Sequence, residues 1–297
     1  MATMIALVGE QPIPNLLPLR ALKPKRVALM HTDSTHAVAQ RLERLIDAPV
    51  DCVEVKPYDV RDCQQKLKRY LQKVSGPVTY NLTGGTKTML LAAYTVAVSN
   101  RSAVVYLQTQ GSRSRLYSYR ISSSGLIESD VRELPVLISA DDYLRAHVSN
   151  YACTGFSQDS GKLTTGGLFE KAVADALTGQ VDEVLIGVHP DEVAGNIDID
   201  FVIRCGNQVG IAEAKANKAS KDGLDQLAMA GGREYLGTYT SKFLIVGNTI
   251  GPSLKQLAEA RGIQVIELPS YAATGIVAPA EARQLVDAVR KRLGAKA

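Results

Sequence analysis

The sequence predicts an α/β protein of two domains: a parallel, doubly wound sheet, then a second α/β sandwich built around a β-hairpin. Three observations lead there. Strand-like and helix-like stretches alternate regularly from Ile5 to Arg120, the pattern of a parallel sheet with helices on both faces. Around Gly206-Asn207 the pattern changes to two β-branched-rich runs joined by a two-residue turn signal, which reads as an antiparallel hairpin. A length of 297 residues suits two domains of ordinary size.

The elements follow in order. Ile5–Val8 is a strand and Leu16–Leu22 a helix. The strands Arg26–Met30, Asp51–Val55 and Val78–Asn81 are each followed by a helix: His36–Ile46, Val60–Val74 and Thr88–Val98. Ala103–Gln108 and Leu116–Arg120 complete the first set. The Ser/Gly-rich run Ile121–Gly125 and a short helix over Asp141–Tyr151 read as a joint between domains, with the boundary near residue 136, separating 1–136 from 137–297. A second Ser/Gly-rich stretch, Gly155–Gly167, falls in the later domain. Phe169, Ala172, Val173, Ala176 and Leu177 form a stripe at helical spacing, so 168–178 is an amphipathic helix. Strand Phe243–Gly247, helix Ser253–Ala260, strand Ile263–Leu268 and helix Glu281–Leu293 end the chain.

Ligands of doubly wound sheets bind beyond the C-terminal strand ends, and three polar loops are expected there. The first carries Gln11, Pro14 and Asn15. The second follows His31 with Thr32, Asp33, Ser34 and Thr35. The third reads Asn81-Leu82-Thr83-Gly84-Gly85-Thr86-Lys87 and runs from an apolar strand into a helix. Its glycines permit close backbone approach, and the helix N-terminus offers N–H donors to an anion. The glycine–lysine spacing is not that of a Walker A loop. Three such loops on one sheet edge point to a nucleotide-like ligand.

The hairpin carries the chemistry. With Gly206 and Asn207 as the turn, Cys205 faces Gln208, Asp200 falls opposite Glu213, and Asp198 falls opposite Lys215. Alternation puts Glu213 and Lys215 on one face. Opposed carboxylates repel and favour a cation between them. Hard oxygen ligands suit Mg²⁺ or Mn²⁺, and a lysine beside such an ion can activate water and offset phosphate charge. A solvated surface is the simpler reading of acids and lysines on a hairpin. Against it, Val209, Gly210, Ile211, Ala212 and Ala214 make this strand small and apolar, and a Glu and a Lys in a buried strand need partners. Glu170 lies beside the apolar stripe of its helix. Gln226, on a later polar helix, reads as an ordinary surface glutamine.

The motif Asn81-Leu82-Thr83-Gly84-Gly85-Thr86-Lys87, with Gln11-x-x-Pro14-Asn15, resembles the sensor domain of CRISPR-associated Rossmann-fold (CARF) proteins. Glu170, Asp200 and Glu213-Ala214-Lys215 resemble the site of a restriction-endonuclease-like PD-(D/E)xK nuclease. The combination is similar to CRISPR ancillary nucleases of type III systems, covering most of the chain, with residues 1–136 as sensor and 137–297 as nuclease. The resemblance implies a homodimer that binds cyclic oligoadenylate, by preference cyclic tetra-adenylate, across its two-fold axis. It implies activation of metal-dependent cutting of DNA and, in some members, RNA. Gln11, Pro14, Asn15, Thr32–Thr35, Asn81, Thr83–Thr86 and Lys87 would then bind the activator. Asp200 and Glu213 would hold Mn²⁺ or Mg²⁺ with Glu170, directly or through water, and Lys215 would serve the attacking water. Asp198 stands where the family commonly has Glu, which puts its role in doubt. Arg26-x₄-His31 matches the HEPN ribonuclease pattern, but that chemistry belongs on a helix and these residues read as a buried strand.

Composition narrows the alternatives. Residues 1–149 hold 19 Lys and Arg against 13 Asp and Glu, and the remainder 15 against 17. The first half therefore favours an anionic partner, while the acidic second half fits bound metal better than a basic DNA-reading helix. Cys52, Cys63, Cys153 and Cys205 are scattered, against a zinc site or disulfide framework. The N-terminus lacks the basic segment of a signal peptide and the longest apolar run is too short to span a membrane, so a cytoplasmic protein is expected. Competing readings are a restriction- or repair-type nuclease needing no activator, a ligand-sensing regulator that does not cut, and a sensor that degrades its own activator.

Overall fold

The structure is a computed structural model describing residues 2–110, 113–191, 198–217, 221–232 and 235–294. It divides into two compact units, Met1–Leu137 and Ile138–Ala297.

The first unit runs β1 (Thr3–Leu7), α1 (Ile13–Leu22), β2 (Arg26–His31), α2 (His36–Arg44), β3 (Val50–Glu54), α3 (Val60–Leu71), β4 (Val78–Asn81), α4 (Lys87–Ser99), β5 (Ala103–Gln110), β6 (Arg113–Ser122) and β7 (Gly125–Glu133). Its sheet has the order β3-β2-β1-β4-β5-β6-β7. The first five strands are parallel and the last two antiparallel. β1 is buried along its whole length, as an inner strand covered on both faces must be. Helices α3 and α4 bury Cys63, Leu67, Met89, Ala93 and Val96 against Ile5, Leu7, Ala28 and Met30. The chain steps outward from β1 to β3, then returns to place β4 on the other side of β1. The topological switch point therefore lies between β1 and β4, where such sheets open a crevice.

Two expectations change here. Helix α1 starts at Ile13 rather than Leu16, because prolines are tolerated in a first helical turn. Pro14 and Asn15 are therefore helical. The run Ile121–Gly125 is the β6–β7 turn and not a joint. Ser122 Oγ accepts the Ser124 N–H at 3.2 Å, and Gly125 takes a φ of 117°. β7 itself is exposed throughout, and its mixed polar sequence hides it as an edge strand. Arg26–His31 is a strand buried beyond Arg26, as read.

The second unit runs α5 (Ala140–His147), β8 (Tyr151–Cys153), β9 (Gln158–Asp159), β10 (Lys162–Leu163), α6 (Thr165–Leu177), β11 (Glu183–Pro190), β12 (Ile199–Cys205), β13 (Gln208–Lys215), α7 (Lys221–Ala230), β14 (Ser241–Val246), α8 (Pro252–Ala260), β15 (Ile263–Glu267), α9 (Ser270–Thr274) and α10 (Pro279–Leu293). Its main sheet has the order β15-β14-β13-β12-β11-β8. β13, β14 and β15 are parallel, and the other pairs antiparallel. α6 and α10 bury Phe169, Val173, Leu177, Leu285, Val289 and Leu293 against Phe201, Ile203, Ala212 and Ala214. The hairpin register pairs Cys205 with Gln208 and Phe201 with Ala212, with Gly206 at a φ of 60°. Among the described residues no helix is long and apolar enough to cross a membrane.

Candidate functional site

At the switch point of the first unit, the loops after β1 and β4 are pressed together. A Cβ on Gly84 would lie 2.3 Å from the Leu7 carbonyl oxygen, and one on Gly9 would lie 3.1 Å from the Gly85 nitrogen. Gly85 takes a φ of 76°, a conformation open to glycine. Asn15 and Asn81 are both fully buried. Asn15 Nδ2 donates to Leu7 O at 3.0 Å, and Asn81 Nδ2 donates to Asn15 Oδ1 at 3.0 Å and Pro14 O at 3.2 Å. Asn81 Oδ1 accepts from Thr83 Oγ1 at 2.6 Å, and Thr83 Oγ1 accepts the Leu107 N–H at 2.8 Å. Pro14, Asn15, Asn81 and Thr83 therefore tie the loops after β1 and β4 together.

Thr86 caps α4 by accepting the Met89 N–H at 3.1 Å, and donates to Pro57 O at 2.7 Å. That bond brings the loop after β3, with Tyr58 82% exposed, to the same rim. Thr32 and Thr35 form a reciprocal cap and are buried. Of the residues expected to meet ligand, Asp33, Ser34 and Lys87 are exposed and Gln11 half-buried. The sequence predicts three of the loops on this edge. The fourth was implicit in the alternation, since every parallel strand sends its C-terminal end to one edge.

In the second unit, Asp200 and Glu213 are the candidate pair. Asp200 Oδ2 accepts the Ala214 N–H at 2.6 Å, and Lys215 Nζ sits 2.5 Å from Glu213 Oε1. Ala212 and Ala214 face the α6–α10 core, so alternation turns Glu213 and Lys215 to the other face. There a Cβ on Gly223 of α7 would lie 3.7 Å from both side chains. Burial, then repulsion from Glu213, pushes the Asp200 carboxyl up to about 8, against the opposing Ala214 hydrogen bond. Burial likewise raises Glu213, with the Lys215 ammonium working against it. For Lys215, burial pulls down, but Glu213, Asp200 and Glu170 outweigh it and hold the ammonium protonated.

Glu170 is buried on α6, and Ser157 engages both its oxygens. Ser157 Oγ donates to Oε1 at 2.6 Å and the Ser157 N–H donates to Oε2 at 2.8 Å. Gly167 makes room for this loop, because a Cβ there would lie 2.0 Å from Ser157 O. A cavity of about 390 Å³ opens beside the carboxylates, lined by Glu170, Asp198 and Asp200 with Thr154, Ser157 and His189 among others. Asp198 lies outside β12 and pairs with His189 Nε2 at 3.2 Å. Gln226 is exposed on α7.

Sequence reasoning missed Ser157 and His189. Their strand and loop carry no helical or turn signature that points at Glu170 or Asp198. Among the described residues, no three His, Cys, Asp or Glu side chains stand ready to hold a metal ion. The Asp200–Glu213 pair nevertheless fits a divalent cation. Two opposed carboxylates, Glu213 buried and Asp200 half-buried with its carboxyl raised to about 8, are stabilised by positive charge.

Residues 3–131 match the family model described as the Card1 CARF domain. No curated protein matches the chain. Among solved structures, Can2 from Sulfobacillus thermosulfidooxidans in complex with cyclic tetra-adenylate (cA4) is similar, with a TM-score of 0.75 at 15% identity, covering 99% of this chain and 99% of that one. Protein VC1899 from Vibrio cholerae gives 0.73 at 12% identity, covering 99% and 98%. A type III CRISPR defence DNA nuclease activated by cyclic oligoadenylate gives 0.61 at 18% identity, covering 84% of this chain and 46% of that one. The first unit thus carries a CARF-type sequence on a parallel-dominated α/β sheet, and the chain shares its fold from end to end with Can2 and VC1899.

Proposed function

We propose that the protein is an endonuclease of type III CRISPR defence, activated by cyclic oligoadenylate, dependent on Mg²⁺ or Mn²⁺, and working as a homodimer. In this reading residues 1–136 sense the activator and residues 137–297 form a PD-(D/E)xK-type nuclease that cuts DNA and, as a second substrate, RNA. The observation that carries the nuclease half is the pair of half-buried Asp200 and buried Glu213 with Lys215 on its flank. The CARF match and the switch-point crevice support the sensor half.

Asp200 and Glu213 would hold the metal, with Glu170 joining directly or through water once Ser157 yields. Bound there, the ion supplies a more acidic water and a Lewis acid for the phosphoryl oxygen. Lys215 acts as a donor to the attacking water and as counter-charge to the developing phosphorane. Its raised ammonium favours that role over a base. In the sensor, Lys87 and the first turn of α4 meet phosphate, while Gln11, Asp33 and Ser34 contact the rest of the ligand. Asn15 and Asn81 hold the wall in place. Because a ring of repeated adenylates is itself symmetric, two copies of the crevice suit one ligand.

The test is Mn²⁺-dependent hydrolysis of labelled DNA and RNA by the full chain in the presence of cyclic tetra-adenylate. Hydrolysis by wild type and none by Asp200→Ala supports the assignment. Equal hydrolysis by both contradicts it.

A further inference from the structure

The cavity beside Asp200 presents a problem of charge. Its lining includes Glu170, Asp198 and Asp200, and a phosphodiester brings another negative charge. His189, near the C-terminal end of β11, is the one basic side chain among the described residues that line it. We propose that His189 contacts a phosphate of the nucleic-acid strand, oriented for this by Thr154 and Asp198. The proposal rests on the nuclease reading and adds to it a substrate-binding residue.

The geometry supplies the orientation. His189 Nε2 lies 2.9 Å from Thr154 Oγ1 and 3.2 Å from Asp198 Oδ1. A carboxylate only accepts, so Nε2 carries the proton and Thr154 Oγ1 shares it as acceptor. Both partners fall on the same nitrogen, which leaves Nδ1 for a third partner. With Asp198 on one side and the incoming phosphate on the other, the imidazolium form would donate Nε2–H to Asp198 and Nδ1–H to a non-bridging oxygen. The charged groups that share the cavity with the ring come from three elements: Asp198 before β12, Asp200 on β12 and Glu170 on α6.

The backbone is built around this arrangement. Gly187, two residues before His189, takes a φ of 61°, and a Cβ there would lie 2.2 Å from Gly155 O and 2.8 Å from Thr154 Oγ1. Thr154 N donates to Gly187 O at 2.8 Å. The Thr154–Gly155 turn is thus fixed against β11, with the threonine hydroxyl aimed at the imidazole. The arrangement also gives Asp198 a task other than metal binding, in the position where the resemblance left its role open.

The test uses the full chain with cyclic tetra-adenylate. A fluorescent oligonucleotide is titrated by anisotropy in Ca²⁺, as a cation of the same charge with which cutting is to be kept slow. KM and kcat are measured in Mn²⁺. Loss of a charge-assisted hydrogen bond corresponds to roughly 10-fold or more in affinity. His189→Ala should weaken oligonucleotide binding and raise KM by about that factor, with kcat changing less. His189→Lys should recover most of the loss, and Thr154→Val should show a smaller one, with melting temperature and Mn²⁺ affinity unchanged in all three. Wild-type cutting with an unaltered dissociation constant and KM in His189→Ala overturns the proposal and leaves the nuclease reading standing. So does a loss that tracks Mn²⁺ affinity or melting temperature, or one that Lys does not recover. A wild type that neither binds nor cuts nucleic acid removes both.

Discussion

Asp200 accepts the backbone N–H of Ala214 at 2.6 Å, so the strand that carries Glu213 also pins the carboxylate Glu213 repels. The hydrogen bond fixes the position of Asp200 without neutralising the pair. In the proposed reading, such a site is held ready for a cation at some cost to the metal-free fold.

Removing one charge should therefore separate activity from stability. Asp200→Asn keeps an acceptor for Ala214 and deletes the repulsion. Cutting should fall by at least about 100-fold, while the melting temperature without metal stays level or rises. Glu213→Ala should lose cutting to the same degree. Single-turnover hydrolysis beside thermal melts checks both, and wild-type cutting by either variant would sink the assignment.

The same pair predicts a pH dependence. The folded-state value of Asp200, about 8, lies above its ordinary value of 3.8. Between these values the folded protein binds more protons than the unfolded one, so metal-free stability should fall as pH rises from about 4 to about 8. The effect is on the order of a few kcal/mol. It vanishes below that window, where both states are protonated. Denaturant melts at several pH values should show this slope, its flattening in Asp200→Asn, and its reversal by Mn²⁺. A metal-free stability that is flat across the window would count against this coupling of Asp200 and Glu213.

The sensor residues should sort into wall and contact. Asn81→Ala leaves the partners at Asn15 and Thr83 unsatisfied in a buried site, at about 1–3 kcal/mol and several degrees of melting temperature. Gly84→Ala should be as severe, because its Cβ meets the Leu7 carbonyl. Lys87→Ala should leave the melt unchanged and weaken cyclic tetra-adenylate by about 5- to 10-fold. Calorimetric titration with the cyclic ligand, alongside melts, distinguishes the classes. Equal affinity of Lys87→Ala and wild type would displace the ligand from this crevice.

What was legible in the sequence had a local physical signature. The Gly206-Asn207 turn fixes its own register, so the opposition of Asp200 and Glu213 follows from counting along two strands. The Asn81–Lys87 loop was visible because only glycines permit its approach to β1. Hidden features depend on packing or on exposure. β7 is polar because it is exposed on an edge, and β11 is only half-buried over most of its length. The engagement of Glu170 by Ser157 spans 13 residues through a loop with no periodicity. The split of Asn15 and Asn81 from the exposed Lys87 required knowing which side chains the sheet encloses.

The central claim is that one chain joins a sensor to a cation-dependent nuclease. It is tested most directly by the rate of DNA cutting in Mn²⁺ with and without cyclic tetra-adenylate, using protein checked to carry no co-purified nucleotide. A ligand must favour one arrangement over another to act as a switch. The account predicts near-silence without the ring, a rise of at least about 100-fold with it, and no rise in Glu213→Ala. Full cutting by nucleotide-free protein, unchanged by the ring, would contradict it.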